Sequence, residues 1–395
     1  MLSRQTTPIY IQDCGFHSAM GYQDTDIHRC LAGSQPANMV QDDQLLNHAQ
    51  TTVIGRIPHP LASLPNRLGA FDSRNNRLAL SALLDIETSV QQAIKQFGAD
   101  RVAVLVGTST SGMADGEQAF AEQLAKGRFP ADYHYRKQEL ANCSQFIQAL
   151  FQLNGPCYTV STACSSSGRV FITAKRMLQS GMADAVIVGG VDTLCRLTLN
   201  GFHGLDALSQ TLCQPFSSER DGINIGEASA FMLLSKSPSD IALLGCGDSS
   251  DAYHISAPQP EGLGAEQAMR AALDDAGLIS SDIGYINAHG TATPLNDSME
   301  SQAIYRIFAD QVAVSSTKPL TGHTLGAASA TEAAIAWHIL RHNLPLPQQG
   351  CANPGEDIQI QLLEQPMQLN GRAIMSNSFA FGGNNISLIF GLSHD

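Results

Sequence analysis

The sequence predicts a layered α/β protein with helices packed on sheets, and three observations carry that reading. Short apolar runs alternate along the chain with longer segments of helical period. The composition, 43% hydrophobic against 15% charged over 395 residues, supports a large buried core and about two to three domain equivalents. Many of the 34 glycines stand next to small residues, as tight turns and close backbone approaches in α/β enzymes require.

The runs RVAVLVG (101–107), CYTVSTA (157–163) and ADAVIVGG (183–190) read as buried strands, as do FMLLS (231–235), IALLGCG (241–247), IGYINAH (283–289) and ISLIFGL (386–392). Gly, Ser, Asp or Asn bounds each of them. Between them, residues 79–97, 168–180, 264–276 and 327–341 carry apolar side chains at helical spacing. A small polar, proline-containing stretch at 236–240 divides the chain into an N-terminal half, 1–240, and a C-terminal half, 241–395. The openings IYIQDCGFHSAMG and IALLGCGDSSDAY read as related half-starts, although they are too dissimilar to establish a duplication.

A formal net charge of −13 argues against wholesale binding to nucleic acid or an anionic membrane, because those surfaces repel the chain as a whole. The nine cysteines are odd in number and form no C-x-x-C pair, so a reducing cytoplasm is expected rather than a disulfide framework. The first residues lack the apolar run of a signal peptide, and no later stretch approaches the roughly 20 apolar residues needed to span a bilayer. A soluble protein follows. With no metal-ligand spacing, P-loop or dinucleotide fingerprint, neither a cofactor nor a metal is expected.

The first chemically loaded segment is YTVSTACSSSGR, 158–169, where a strand ends in small residues and a helix begins just after Cys164. Such an elbow presents a thiol at the mouth of a pocket, and the helix N-terminus is expected to favour the thiolate. A lone cysteine is more often a small buried hydrophobe, and Cys157, without an elbow, is assigned to the core. In NAHGTATPLND, 287–297, His289 follows an apolar strand on a Gly-Thr turn. In SSTKPLTGHTLGAAS, 315–329, Lys318 and His323 occupy a glycine-rich loop that leads into the helix carrying Glu332. One histidine alone is usually a satisfied polar group. Two on separate glycine turns, beside an elbow cysteine, point to catalysis.

These motifs, with PFSSERDGINIGEA at 215–228 and NSFAFGGNN at 377–385, resemble in order and spacing the elongating β-ketoacyl-carrier-protein synthases of dissociated fatty-acid and polyketide systems. The resemblance covers nearly the whole chain. It implies a thiolase-like fold, two similar halves in a five-layered αβαβα arrangement, usually dimeric near the active sites. It further implies Cys164 as the acylated nucleophile, His289 and His323 over a malonyl thioester, and Lys318 with Glu332 as a supporting charged pair. Phe381 matches the gating phenylalanine, whose backbone N–H joins that of Cys164 in an oxyanion hole. The implied partners are acyl and malonyl forms of an acyl carrier protein, and a second subunit that is either another copy or a related synthase-like chain.

A thiolase would need a second cysteine near the C-terminus, and 377–385 holds none. A chain-length-factor-like subunit would lack the nucleophile, whereas Cys164, His289 and His323 are all present. A starter-unit synthase would carry Asn in place of His323. The chain also departs from the family pattern. Ala380 stands between Phe379 and Phe381 where glycine is usual, which is expected to restrict the gate, and Asn384 replaces threonine. The N-terminal QDCGFHSAMG departs from the family's Gly-x-Gly opening. Thr110, in GTSTSG, occupies the position that in the family often faces the acyl pocket, which Phe379 is also expected to line. These departures favour a specialised polyene or polyketide branch, such as aryl-polyene assembly. Arg67, Arg74 and Arg77 in NRLGAFDSRNNR form the densest basic cluster and are the expected carrier-protein docking surface, with an ordinary solvated helix start as the alternative.

Overall fold

The computed structural model describes residues 8–351 and 353–393. The apolar runs pair into one ten-stranded sheet. Its strands are β1 (Ile9–His17), β2 (Val102–Gly107), β3 (Cys157–Val160), β4 (Ala185–Asp192), β5 (Ala228–Ser235), β6 (Ile241–Ser250), β7 (Ile283–Asn287), β8 (Ala313–Ser315), β9 (Ala373–Ala380) and β10 (Asn384–Leu392). They lie in the order β8-β7-β9-β10-β6-β1-β5-β4-β2-β3. Counted separately before and after residue 240, both sets run third, second, fourth, fifth, first. Directions repeat as well. β2 is parallel to β3 and β4, as β7 is to β8 and β9. The fifth strand of each set then pairs antiparallel with the fourth and the first. The sets join where β1 meets β6 antiparallel, Ile9 opposite Leu243 and Ile11 opposite Ile241.

The helices Ser166–Ser180 and Ala328–His342 pack on each other and on strands of both sets, so they form a central layer. The helix Arg74–Asp85 covers β1, β4 and β5 from outside, and Leu263–Ala276 covers β6 and β10. The result is a five-layered αβαβα fold of thiolase-like type. Its central core mixes Val170, Phe171 and Leu178 with Ala333, Ile335 and Phe390, drawn from both parts of the chain. Close packing there depends on two glycines. A Cβ on Gly107 would stand 2.3 Å from the backbone N of Ser167, and one on Gly168 2.7 Å from Ile386 Cγ2.

Two sequence expectations are corrected, and two strands are added. The segment 79–97 is two helices, Arg74–Asp85 and Glu87–Phe97, which meet at Ile86 (φ −104°, ψ 7°). That break lets Leu83 and Val90 reach the same apolar cluster. The run 157–163 stops being a strand at Val160, because Ala163 takes a left-handed φ of 52° to turn the chain into the elbow. β8 and β9 were not foreseen. β8 is only three residues long, and Ser376, Asn377 and Ser378 interrupt the apolar pattern of β9 although all are buried. Among the described residues, no helix is long and apolar enough to cross a membrane.

Candidate active site

Three left-handed turns bring the motif residues together. Ala163 precedes Cys164, Ala292 (φ 63°) follows His289, and Leu325 (φ 52°) follows His323. Each non-glycine residue in that region costs on the order of 1 kcal/mol, and such strain gathers at functional sites. The serines after Cys164 hold its elbow shut. Ser166 Oγ accepts from the Thr162 N–H at 2.8 Å and donates to the Ala163 carbonyl at 2.5 Å, while Ser165 Oγ donates to the Thr162 carbonyl at 2.8 Å. Ser167 Oγ accepts the Ala330 N–H at 3.0 Å and ties the helix start to the second central helix.

Cys164, His289 and His323 converge, all buried, with their ligating atoms within 4.8 Å of one another. His323 Nε2 lies 3.0 Å from Cys164 Sγ, and the two imidazoles stand edge to face with centroids 5.4 Å apart. Their tautomers follow from their back contacts. His323 Nδ1 accepts the Leu325 backbone N–H at 3.2 Å, and His289 Nδ1 faces Lys318 Nζ at 3.4 Å. An ammonium can only donate, so in both rings Nδ1 is the acceptor and Nε2 carries the proton. Burial and the Lys318 charge push both histidines well below their usual range, and His323 adds to the effect on His289. Both are therefore neutral Nε2–H donors at neutral pH.

Lys318 is held in turn by Glu332 Oε1 at 2.6 Å, with both side chains buried. Glu332 Oε2 accepts from Ser378 Oγ at 3.3 Å, and Ser378 accepts from Ser329 Oγ at 2.7 Å. A second buried carboxylate was missed from the sequence. Glu300 accepts the backbone N–H groups of His289 (2.8 Å) and Gly290 (2.7 Å), fixing the turn that carries the imidazole. Burial raises Glu300 to about 7 against those two bonds. Its neighbour Asp297, raised by burial to about 6, receives the Phe216 N–H at 2.7 Å. The sequence signal was present in PLNDSMES, where Asp297 and Glu300 fall one helical turn apart just after HGTAT.

The expectation of a resting thiolate is not met. Burial pushes the Cys164 thiol up to about 11, opposed by the Lys318 charge and by the backbone N–H groups of Phe381 and of Cys164 itself. Those two N–H groups come from opposite segments and both favour negative charge on the sulfur. A cavity of about 300 Å³ opens over the sulfur, lined by Cys164, His289, His323, Phe379, Phe381 and Phe202 among others. Phe381 stacks obliquely on Phe202 with centroids 5.6 Å apart and is partly exposed at the mouth. Ala380 is extended (φ −103°, ψ 155°), a conformation any residue adopts, so the alanine causes no strain here. The positive φ angles fall instead on Gly382 (79°) and Gly383 (72°).

Thr110 does not reach this cavity. Its hydroxyl donates to Asp192 Oδ1 at 2.7 Å and accepts the Thr193 N–H at 3.1 Å, so it is spent on structure. Asp192, another residue the sequence reading missed, also takes Thr108 Oγ1 (2.7 Å) and the Ala327 N–H (3.0 Å). It thereby joins β4 to the loop that follows His323. Its place at the end of an apolar strand was the available signal.

The three arginines of the basic cluster are exposed, and each also has a hydrogen-bond partner within the chain. Arg67 caps the helix Asn142–Phe151 by donating to the carbonyls of Ala149 (3.0 Å) and Leu150 (2.8 Å). Arg77 forms a bidentate pair with Asp72, both contacts at 2.6 Å. Arg74 grips the fully buried carboxylate of Glu227 through Nε (3.0 Å) and Nη2 (2.5 Å). The outcome expected of Arg74→Ala is therefore a lowered thermal midpoint, larger than that of Arg77→Ala, since only the former strands a buried charge. Calorimetry on the two variants checks it. Equal midpoints would return Arg74 to a surface role.

Comparison with known proteins agrees with this geometry. Residues 73–239 match the family model described as beta-ketoacyl synthase, N-terminal domain, and 241–351 match beta-ketoacyl synthase, C-terminal domain. The chain is 32% identical to the 3-oxoacyl-[acyl-carrier-protein] synthase 2 of Staphylococcus aureus strain COL, over 80% of this chain and 81% of that protein. It is likewise 32% identical to nodulation protein E of Rhizobium meliloti, over 80% and 82%. Among solved structures it is similar to a chain of the complex of the ketosynthase ApeO with its chain length factor ApeC from Xenorhabdus doucetiae. That match has a TM-score of 0.95 and 46% identity, and covers both chains completely. A beta-ketoacyl synthase from Burkholderia phymatum STM815 superposes with a TM-score of 0.86 at 25% identity, over 98% of this chain and 100% of that one. By motif order, fold and these matches, the chain belongs to the β-ketoacyl synthase family of acyl-transferring condensing enzymes.

Proposed function

We propose that the protein is an elongating ketosynthase of a polyene or polyketide branch, working beside a chain-length-factor-like subunit. An acyl thioester from a carrier protein reacts at Cys164. The sulfur attacks the carbonyl, the carrier thiol leaves with a proton, and the backbone N–H groups of Cys164 and Phe381 hold the transient oxyanion. A thiol raised to about 11 needs help to react, and the Nε2–H of His323 at 3.0 Å is placed to stabilise the developing thiolate. A malonyl thioester then occupies the cavity. As carbon dioxide departs, the enolate oxygen takes hydrogen bonds from His289 and His323, and the enolate carbon attacks the Cys164 acyl group. The C–S bond breaks and the β-ketoacyl product leaves on the second carrier.

One observation carries this division of labour. Both imidazoles have their Nδ1 atoms occupied from behind, so both offer a proton and neither offers a lone pair toward the sulfur. They are thus enolate stabilisers and not general bases. The 46% identity to a chain of a ketosynthase and chain-length-factor complex supports the paired assembly. So does a 25% identity, with a TM-score of 0.87, to the ishigamide ketosynthase/chain length factor. The repeated strand order supports dividing the chain into halves 1–240 and 241–395. A reducing cytoplasm suits nine free cysteines.

The test is intact-mass analysis after mixing with a panel of saturated, polyunsaturated and aryl-substituted acyl carrier proteins. A single stable adduct that maps to Cys164, strongest with unsaturated chains, is expected. An adduct on another cysteine removes the nucleophile. Equal loading by saturated chains removes the branch.

A further inference from the structure

Far along the central helix from the active site, four side chains meet that the condensation does not use. Asp24 and His28 lie one turn apart on the helix Asp24–Leu31, and His338 and His342 lie one turn apart at the end of the helix Ala328–His342. Each pair has the i, i+4 spacing that puts both side chains on one helix face. The faces oppose each other, and one ligating atom from each of the four residues lies within 4.8 Å of all the others. His338 Nδ1 is 3.9 Å from one Asp24 carboxylate oxygen, and His342 Nε2 is 3.8 Å from the other. The rings stand close, His28 to His342 at 4.5 Å and His28 to His338 at 5.6 Å between centroids.

Two ring nitrogens there lack a partner among the described residues. His28 Nε2 and His338 Nδ1 are both buried without a hydrogen-bond partner among those residues, and the His338 side chain is only 3% exposed. An unmet buried polar atom costs about 1–3 kcal/mol, so two in one cluster call for a ligand. Three cationic imidazoles in contact would repel one another. Three imidazoles, two of them with unpartnered ring nitrogens, completed by one carboxylate, are a transition-metal donor set and not an anion site.

We propose that Asp24, His28, His338 and His342 form a binding site for a divalent transition metal, zinc in the first instance. Nitrogen and oxygen donors bind zinc at about 2.0–2.2 Å, which sets tetrahedral donors roughly 3.3 Å apart. Separations of 3.8–3.9 Å need only small side-chain rotations to close onto the ion. The ion would pin the N-terminal helix to the end of the helix whose second turn carries Glu332, making it a structural staple outside the reaction. The sequence held the signal in D-x-x-x-H at 24–28 and H-x-x-x-H at 338–342, but only the fold shows that the two pairs face each other.

The chain supplies its own probe. Its single tryptophan, Trp337, packs 5.1 Å from His338 and 5.9 Å from His342 between ring centroids. A paramagnetic ion bound at the site must quench its fluorescence. The measurement titrates Co²⁺ into the protein, then adds Zn²⁺ in competition. A Cys164→Ala background removes the thiolate ligand that could draw metal to the active site. Saturable quenching at one equivalent, reversed by Zn²⁺, is expected. It should weaken by at least about tenfold in His28→Ala and in His342→Ala, since even outer partners of metal ligands are worth about 10–100-fold. Zn²⁺ should also raise the thermal midpoint of the parent and not of either variant. Unchanged quenching in both variants, or quenching that never saturates, overturns the site.

Discussion

Replacing Cys164 with glutamine is expected to abolish condensation while carbon dioxide release from malonyl carrier protein continues. The amide has the reach of an acylated cysteine and sets its carbonyl against the N–H groups of Cys164 and Phe381 that favour negative charge on the sulfur. His289→Ala should slow decarboxylation about a hundredfold or more, the cost of one donor to a developing oxyanion being roughly 2.7–4 kcal/mol. It should leave acylation of Cys164 detectable, because His289 has its bond to Lys318 and none to the sulfur. His323→Ala should slow both half-reactions, since His323 Nε2 touches Cys164 Sγ at 3.0 Å. The two histidines are thus separable by mass detection of the acyl-enzyme alongside carbon dioxide release. A glutamine variant dead for decarboxylation, together with alanine variants that decarboxylate normally, would overturn the assignment of both imidazoles to the enolate.

The parts of this chain that hydropathy could show were those where burial and apolarity coincide. β4 is buried at every position and was found within two residues at each end, and the helix Leu263–Ala276 within one. β9 is equally buried yet escaped, because Ser376, Asn377 and Ser378 spend their polarity on internal bonds. Asn377 accepts from Ser387 at 2.7 Å, and Ser378 bridges Ser329 and Glu332. The site divides in the same way. Cys164 stands in a small-residue elbow and His289 and His323 on glycine turns, all of which mark them in the sequence. Glu300 and Asp192 act on backbone N–H groups across 11 and 83 residues, so their place in the sequence makes them candidates without showing what they hold. Thr110, and in part Arg74, carry structural bonds that their positions did not announce. Thr110 spends its hydroxyl on Asp192, and Arg74 holds Glu227 while staying exposed.

The Lys318–Glu332 pair separates structure from catalysis most sharply. Both side chains are almost wholly buried at 2.6 Å, so Lys318→Met leaves a carboxylate without its counter-charge, a loss on the order of 3–5 kcal/mol. Removing both charges, in Lys318→Met with Glu332→Met, should restore most of that stability, because apolar replacements of a buried pair are often neutral or better. Decarboxylation should not return with it. His289 Nδ1 will have lost the only ammonium that fixes its tautomer, and the Nε2–H that faces the enolate will be present only part of the time. A deficit of about 10–100-fold is expected by analogy with other partners that orient a working imidazole. Urea unfolding gives the stability arm and carbon dioxide release gives the catalytic one. If the double variant recovers both, the pair serves packing alone, and the orientation of His289 comes from Glu300 and its backbone turn.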